Sequence, residues 1–496
     1  MPALLKRNFC LLAVLAASFF TYGLLVQMPR TSAIPAFARK YQTSCSTCHN
    51  NYPELNDFGE AFKKNGFKFP KDDDSFVKEA PVMLGAKAQK EAFPKAVYPG
   101  EIPGFLPLGF RYSGVAQYNS KQPLAIGYLP QTDLFVPNTF TIIAAGSLGD
   151  RLSFWIDNDI SAGGANAAAG LGDGYLKVND LGHFLHLPKD ALNVRMGQFE
   201  LDLPFTQARG IDLTGYDIYS QASIAGPQGT ANNPFMFGIP QRGIEIGGYP
   251  NDGNFNWSVA VVDGNNNNPA IRNSKDIYVR VSQRFNLERD AAQRSEVQAS
   301  GPTGPRDHTS LRLGAFYYYG RNALNPSNTI DLTGTFGGSF GPVPFPDIHE
   351  VFYRYGGDFR FKYRQFELYG LGMYGHDENH TLIYPSSCAG QPLCLPTGFA
   401  PAAPVTFSGG FVQANYWVYP WLIALVRYDA VNSPTDYLNG ASRYNTRNRF
   451  SPGVQFLIRA NIKWNFEYDY RWQVPVPNSN QFFRLNGVET GFDYSF

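Results

Sequence analysis

A cysteine pair followed directly by a histidine is the pattern in this chain that can carry redox chemistry. The run Cys45-Ser46-Thr47-Cys48-His49 reads C-x-x-C-H, which is the attachment signature of a c-type haem. Two thiols at this spacing can form thioethers with the two vinyl groups of one haem, and the next residue can place its Nε2 on the iron. We therefore predict one covalent haem c, bound through Cys45 and Cys48, with His49 as an axial ligand of the iron.

Two other kinds of site use a C-x-x-C pair, and the remaining sequence favours neither of them. A thioredoxin-like redox pair would require a βαβ pattern around it, and none is visible. A structural zinc site would require four ligands. The cysteines that follow the motif, Cys388 and Cys394, lie far along the chain, so the haem interpretation is preferred.

The residues after the motif predict a short helix with one apolar face. Pro53 suits the first helical turn, and the pair Asn65-Gly66 suits the end of the helix. Between them, apolar side chains recur at the spacing of one helical face. We expect that face to lie on the haem, and its members are Leu55, Phe58 and Phe62.

The sixth ligand of the iron has several candidates. Met83 is the only methionine between the motif and the predicted barrel, and Met/His ligation is one standard cytochrome c arrangement. The alternative role for Met83 is ordinary apolar packing. His183, His186 or a vacant sixth position are the other possibilities that the sequence leaves open.

The N-terminus has the three parts of an export signal. Lys6 and Arg7 form a basic start, an apolar stretch covers 9–26, and small residues follow it. We expect cleavage after Ala33, with Ala38 as the second choice. An uncleaved membrane anchor is the alternative, because the apolar stretch is long for a signal. Haem attachment requires an exported apoprotein, so the two features support each other.

The composition of the whole chain points to a membrane barrel. Of the 496 residues, 15% are aromatic and 17% are charged, whereas typical soluble domains are about 25% charged. The net charge of +1 argues against a nucleic-acid partner, which requires a basic surplus. No segment after the export signal has the ~18 apolar residues of a spanning helix. A β-barrel, which is apolar only at every second residue, fits these numbers.

From about residue 107 onward, strand-length runs alternate apolar and polar side chains, as lipid-facing and lumen-facing positions do. Counting the runs predicts sixteen strands that begin near 107, 136, 151, 171, 192, 241, 254, 275, 309, 349, 364, 404, 421, 446, 461 and 482. With both ends of the barrel in the periplasm, every second connection should be short. The connection 287–308 is long instead, so it is either an insertion or an error in the count.

The chain therefore divides into four parts. They are a signal peptide (1–33), a monohaem cytochrome c segment (34–97), a linker (98–106) and a transmembrane β-barrel (107–496). The predicted fold class is all-β: a 16-stranded antiparallel outer-membrane β-barrel, plugged by a small α-helical N-terminal haem segment. So short a segment is marginal as a free-standing domain, so we expect it to lean on another body.

Two further pairs of residues lie in a predicted loop, 376–403. Cys388 and Cys394 are a disulfide candidate, because an exported protein folds in an oxidising compartment. His376 and His380 are close by in the sequence. A surface metal site and ordinary solvated loop residues are the two interpretations of this histidine pair.

Four short runs between residues 35 and 67 form a recognisable series. They are Pro35-Ala36-Phe37-Ala38-Arg39, Cys45-x-x-Cys48-His49, Pro53-x-Leu55-x-x-Phe58-Gly59 and Phe62-Lys63-x-x-Gly66-Phe67. Together with the predicted barrel, this series resembles the fused outer-membrane cytochrome c–porins of iron-oxidising bacteria. The specific motifs occupy only this short stretch, whereas the architecture resembles that family over the whole chain.

The resemblance implies a location, a donor and an acceptor. The protein would lie in the outer membrane of a Gram-negative-type bacterium, with the haem segment inside the barrel or at its periplasmic mouth. It would take electrons from an extracellular donor, Fe(II), and pass them to a periplasmic cytochrome or another soluble electron carrier. An Fe(II) oxidase activity rests on this resemblance, since no catalytic motif is visible. A diffusion porin with a haem-bearing structural plug and an outward electron conduit are the alternatives.

Overall fold

A computed structural model of the chain describes part of its residues, and those from 35 onward form one compact unit. The described residues are 36–69, 73–77, 82–83, 91–95, 101–102, 104, 107–120, 131–149, 151–162, 170–206, 212–221, 233, 235–250, 253–266, 268–270, 273–287, 309–325, 327, 329–330, 343–384, 397–432, 448–471, 474–475, 482–483 and 486–495. The predicted signal peptide (1–33) and the disulfide candidates Cys388 and Cys394 lie outside them.

Short elements make up the N-terminal part of the chain. They are helix α1 (Ala36–Tyr41), a 3-10 turn (Cys45–Thr47), strands β1 (His49–Asn51) and β2 (Glu54–Leu55), helices α2 (Asp57–Lys64) and α3 (Asp73–Phe76), and strands β3 (Val82–Met83) and β4 (Glu101–Ile102). Strands β1 and β2 pair with each other, as do β3 and β4. We call residues 36–77 the N-terminal segment.

Longer strands occupy the rest of the chain. They are β5 (Leu108–Asn119), β6 (Thr132–Leu148), β7 (Leu152–Ala162), β8 (Gly170–Val178), β9 (Asn193–Phe199), β10 (Gln241–Gly248), β11 (Phe255–Val262), β12 (Asp276–Asn286), β13 (Ser310–Ala323), β16 (His349–Tyr363), β17 (Phe366–Ile383), β18 (Gly398–Tyr419), β19 (Leu422–Asn432), β20 (Asn448–Arg459), β21 (Ile462–Arg471) and β24 (Gly487–Ser495). The connections between them hold a 3-10 turn (Leu181–Leu185), helix α4 (Asp217–Gln221) and the two-residue strands β14 (Thr329–Ile330), β15 (Val343–Pro344), β22 (Val474–Pro475) and β23 (Phe482–Phe483).

The sixteen long strands form one closed antiparallel barrel. Each strand pairs with its neighbour in the chain, and β24 closes the sheet on β5. Closure leaves the sheet without an edge, which is the condition for a sheet to satisfy its backbone polar groups in lipid. The predicted all-β fold class and the count of sixteen strands are confirmed.

The long connection after β12 is an insertion, because no strand is missing there. Strands β12 and β13 pair continuously from Ile277↔Tyr319 to Asn286↔Ser310. The predicted loop 376–403 was wrong. Strand β17 continues to Ile383 and pairs through Ile383↔Gly398 with β18. The polar residues 376–381 are typical of a loop, but their backbone pairs with β18, so they form part of strand β17.

The two faces of the barrel differ in polarity, as the alternation predicts. Large apolar side chains point outward and are 40–51% exposed, among them Ile244, Ile246, Val261, Ile277, Val281, Leu313, Tyr317, Tyr355, Val412, Tyr428, Phe450 and Phe466. Charged and amide side chains point inward and are buried, among them Arg280, Arg354, Asp358, Glu367, Gln413, Arg427 and Asp429. An apolar exterior around a polar interior is the pattern of a transmembrane barrel. Among the helices that the structure describes, none is long and apolar enough to cross a membrane.

The connection from β9 to β10 folds back into the lumen. Its aromatic and aliphatic side chains are almost completely buried against inward-facing rings of the strands; they include Leu201, Phe205, Tyr216, Ile218, Phe235 and Phe237. Tyr216 stacks on Phe411 of β18 with 3.9 Å between ring centroids. Arg427 of β19 holds the same connection by an ion pair with Asp212 (3.5 Å) and a hydrogen bond to the Thr214 carbonyl (3.1 Å). The lumen therefore contains an apolar layer, which we call the inner layer.

Val281 tests the assignment of the outer face to lipid. It lies in the middle of β12, points outward and is 44% exposed. We expect V281R to lower the free energy of unfolding in lipid vesicles by ~2–4 kcal/mol, the cost of arginine near the bilayer midplane. V281L is the control and should unfold like the wild type. An arginine that is tolerated at no cost would contradict the assignment of this face to lipid.

Candidate functional site

The two cysteines of the C-x-x-C-H motif lie on a tight turn in the N-terminal segment. The Cys48 amide donates to the Cys45 carbonyl at 3.1 Å and closes the 3-10 turn. Both thiols are free and partly buried. Burial, together with the neighbouring Cys45, raises the pKa of Cys48 to about 12, and burial also raises the pKa of Cys45. A thioredoxin-like pair needs a lowered thiol pKa, so this environment does not suit that alternative.

The ring of His49 is held in one tautomer. Its Nδ1 lies 3.2 Å from the carbonyl oxygen of Pro53, and because a carbonyl only accepts, Nδ1 carries the proton. Burial lowers the pKa of His49 to about 4, so the ring is neutral at neutral pH and Nε2 keeps its lone pair. A ligating histidine in a metal site is oriented in this same way, by donating its other N–H to a carbonyl.

Asn56 joins the motif to helix α2. Its Oδ1 accepts from the Gly59 amide at 2.8 Å and caps the helix, while its Nδ2 donates to the Thr47 carbonyl at 3.0 Å. The helix packs so closely on the motif that a Cβ on Gly59 would lie 2.0 Å from the Cys48 carbonyl oxygen. Glycine is therefore required at this position.

The predicted start of this helix was wrong, and its predicted end is confirmed. Pro53 lies in the turn between β1 and β2, because Asn56 is the residue that caps the helix, so placing Pro53 in the first helical turn was wrong. The predicted end is confirmed. Asn65 caps the helix, and Gly66 follows it with a φ of 70°, which suits glycine.

The apolar face of α2 packs into a cluster of aromatic rings. Phe62 is only 4% exposed, and its ring centroid lies 5.0 Å from Phe37 and 5.7 Å from Tyr41. The cluster also contains Phe58, Phe67, Phe69, Phe76 and Trp155 of β7. Protein side chains thus enclose Phe62, and this cluster fixes the helix that supports the motif.

Buried polar atoms directly after the motif lack protein partners. Among the described residues, both amide atoms of Asn50 and Asn51 and the Oε2 of Glu54 are buried and accept or donate no hydrogen bond. Such atoms are expected where a bound group supplies the missing partners. Two free thiols, an available imidazole nitrogen and unpartnered amides form a donor set that fits a covalently attached haem with its polar substituents.

The N-terminal segment is tied to two separate parts of the barrel wall. Asp57 lies 3.2 Å from Lys362 and 3.6 Å from Arg284. In the second part, Lys177 of β8 donates to the Lys64 carbonyl at 2.8 Å. These wall residues lie near the strand ends that carry the short turns 364–365, 420–421 and 460–461. The segment therefore lies in the lumen at that end, which we call the short-turn end.

The charge of the wall sets the ionisation of the segment. Lys362, Arg284 and Arg312 outweigh the effect of burial and hold the pKa of Asp57 well below its usual value. Burial and the nearby Glu367 raise the pKa of Glu54 to about 8, although Glu54 pairs with Arg360. The two carboxyls thus differ: the basic wall favours the anion of Asp57, whereas burial and Glu367 disfavour the anion of Glu54.

The structure leaves the sixth ligand untested. The backbone of Met83 lies in β3 and pairs with Glu101, but its side chain is outside the described part of the chain. His183 and His186 are exposed at the 3-10 turn between β8 and β9. Each of these three candidates therefore stays a prediction.

The predicted histidine pair lies on a strand. His380 of β17 places its Nδ1 3.1 Å from Glu350, and His376 stacks on Tyr353 at 4.8 Å. In the described ranges, no group of three His, Cys, Asp or Glu residues could hold a metal ion. The contacts of both histidines are accounted for by ordinary strand packing.

Removing Asp57 tests whether its ion pairs hold the N-terminal segment in the lumen. The Asp57 side chain is 35% exposed, so we expect D57N to lose about 1 kcal/mol of local stability. The amides of α2 should then exchange several-fold faster, as measured by mass spectrometry. D263N is the control, because it removes a pair with Lys275 (2.7 Å) outside this segment. It should leave α2 unchanged.

Asp57 also determines how the stability of the N-terminal segment changes with pH. Because the folded-state pKa of Asp57 is depressed, its contribution is complete above the unfolded value of ~3.9 and is lost as pH falls through the folded value. Exchange protection of α2, corrected for intrinsic rates, should therefore persist in the wild type at pH 4.5. Equal protection in D57N and the wild type would contradict the role of these ion pairs.

Comparison with known proteins yields likeness at the level of solved structures alone. No family model and no curated protein matches this chain. The solved structures that resemble it include the outer membrane channel DcaP of Acinetobacter baumannii, with 13% identity, 78% of this chain and 96% of that chain covered, and a TM-score of 0.41. Others are Salmonella typhi OmpF in complex with daunomycin (11%, 79% and 98%, 0.42) and OmpT of Vibrio cholerae (9%, 79% and 97%, 0.41).

Proposed function

We propose that the protein is an outer-membrane cytochrome–porin that moves electrons across the membrane. In this proposal the N-terminal segment carries one haem c on Cys45, Cys48 and His49. Electrons come from an extracellular donor, Fe(II), and leave to a periplasmic cytochrome or another soluble carrier. The observation that carries the proposal is the neutral His49 ring, whose Nδ1–H is held by the Pro53 carbonyl at 3.2 Å directly after two free thiols.

The location in the outer membrane is supported by the barrel itself. A closed antiparallel sheet with an even number of strands, apolar outside and polar inside, is the form that outer-membrane proteins take. Its apolar exterior requires lipid as a partner. The short-turn end would face the periplasm, since outer-membrane barrels have their short turns there.

The residues of the site have separate tasks in this function. Cys45 and Cys48 would hold the haem covalently, and His49 would ligate its iron through Nε2. Asn56 keeps the motif turn and helix α2 in register. The bound haem would supply a one-electron couple. Because an electron transfer needs no general acid or base, the lack of a catalytic motif in the sequence is consistent with this task.

The donor is proposed from the resemblance to iron-oxidising cytochrome–porins, and outward flow to an external acceptor uses the same site. The apolar inner layer favours a conduit over an open channel, because its buried rings occupy part of the lumen. A haem behind such a layer exchanges electrons across packed protein, whereas ions need a continuous wet path.

Spectroscopy of the purified protein tests the haem and the donor in turn. We expect a c-type absorption spectrum, with haem that stays attached in a denaturing gel. C45A/C48A should lose the attached haem, and H49A should keep it with an altered spectrum of the iron. H376A is the matched control, because His376 stacks on Tyr353 and lies in a barrel strand.

Anaerobic addition of Fe(II) should then produce the spectrum of reduced haem in the wild type. Haem that stays oxidised with Fe(II) but is reduced by dithionite would overturn the assignment of the donor while leaving the cytochrome. Rapid oxidation of the reduced protein by external Fe(III) would favour the outward direction instead.

Single-channel recording separates the conduit from a diffusion porin. In planar bilayers we expect a conductance far below that of an open barrel of sixteen strands, because the N-terminal segment and the inner layer occupy the lumen. A large, steady conductance in the haem-loaded wild type would support the porin with a structural plug and contradict the conduit.

A further inference from the structure

A charged cavity lies between the N-terminal segment and the barrel wall. Its volume is about 100 Å³, and it is lined by six basic and five acidic side chains. The acidic residues of the segment lie on one side, and basic residues of neighbouring strands lie on the other. If all of these groups are ionised, one positive charge in the lining is uncompensated.

The basic side of the cavity contains a row of three arginines in register. Arg284 of β12 lies directly opposite Arg312 of β13, and Arg312 lies directly opposite Arg360 of β16. All three line the cavity. Like charges at directly opposite positions of neighbouring strands are unfavourable, so this row requires anions beside it.

The two outer arginines of the row have carboxylate partners. Arg284 lies 3.6 Å from Asp57, and Arg360 lies 2.8 Å from Glu367. Arg312 stands between them, and the carboxylates of Glu60 and Asp57 act on it electrostatically without forming an ion pair with it. Among the described residues, none accepts a hydrogen bond from Arg312 or forms an ion pair with it. Within the described ranges, the five N–H donors of this middle guanidinium thus have no protein acceptor.

We propose that Arg312, flanked by Arg284 and Arg360, binds a pair of anionic oxygens in this cavity. A guanidinium matches carboxylate and phosphate oxygens with two parallel hydrogen bonds. The oxygens belong either to a soluble oxyanion such as inorganic phosphate or to a propionate of a haem held by Cys45 and Cys48. The second source rests on the proposed function, whereas the first needs the barrel alone.

The position of the cavity allows both sources. Glu54 and Leu55, which line it, form β2, and Leu55 lies directly opposite His49 in the pair of β1 and β2. The site of haem attachment and the arginine row are therefore neighbours. The cavity is also part of the polar lumen, so a soluble anion that enters the short-turn end could reach it.

Equilibrium dialysis of the purified full-length protein against radiolabelled inorganic phosphate tests the site. If the oxygens belong to a soluble oxyanion, we expect the wild type to bind phosphate; if they belong to a haem propionate, we expect binding only in protein without attached haem. In both cases binding should weaken as NaCl is added. R312Q should weaken this binding at least tenfold, and R312K should weaken it less because it keeps the charge. R321Q is the matched control, because Arg321 lies on the same strand but is exposed on its other face. It should bind like the wild type.

The variant C45A/C48A, which cannot attach haem, separates the two sources. Phosphate bound equally by the wild type and this variant identifies a soluble oxyanion. Phosphate bound by the variant alone, together with a shift of the haem midpoint potential in R312Q, identifies the propionate. Circular dichroism checks that each variant keeps its barrel.

The proposal is overturned if R312Q changes neither phosphate binding nor the midpoint potential, or if R321Q loses binding as much as R312Q does. A protein without a c-type spectrum that still binds phosphate through Arg312 would contradict the proposed function but support the anion site.

Discussion

Closure of the sheet is the constraint on which the rest of this structure depends. A sheet in lipid cannot leave backbone N–H and C=O groups unpaired at an edge, and pairing of β24 with β5 removes the edge. Closure also creates a lumen that sixteen strands are too many to fill with their own side chains. The N-terminal segment and the inner layer are two fillings of that space, and each is held by a different interaction.

The two fillings differ because their environments differ. The inner layer packs rings on rings, with Tyr216 on Phe411 and Phe235 on Tyr318 at about 4 Å, and ion pairs of Asp212 and Asp217 anchor its connection to the wall. The N-terminal segment meets a wall of basic side chains and carries carboxylates to match them. Loss of one partner from such a pair is destabilising, because the remaining buried charge keeps its desolvation penalty. Ion pairs with the wall therefore determine where the segment lies in the barrel.

Local patterns predicted the barrel strands well, because which face a residue takes depends only on its parity within a strand. Local patterns gave wrong predictions where a residue distant in the sequence determines the local structure. Pro53 has the sequence features of a helix start, but the helix is capped by Asn56. His376 and His380 have the sequence context of a loop, but they belong to β17 because β18 pairs with them. The row of Arg284, Arg312 and Arg360 could not be found in advance, because register between distant strands is invisible in a single sequence.

In the proposed function, the N-terminal segment and the inner layer follow each other along the lumen, and this order explains how electrons could pass without a leak of ions. The motif lies at the short-turn end, and the buried rings of the inner layer lie between it and the other end. An apolar layer opposes the passage of ions, because a charge that enters it loses its hydration without gaining partners. Electrons can cross packed protein without such a penalty, since no hydrated group has to move. The inner layer would thus separate electron flow from leakage of ions.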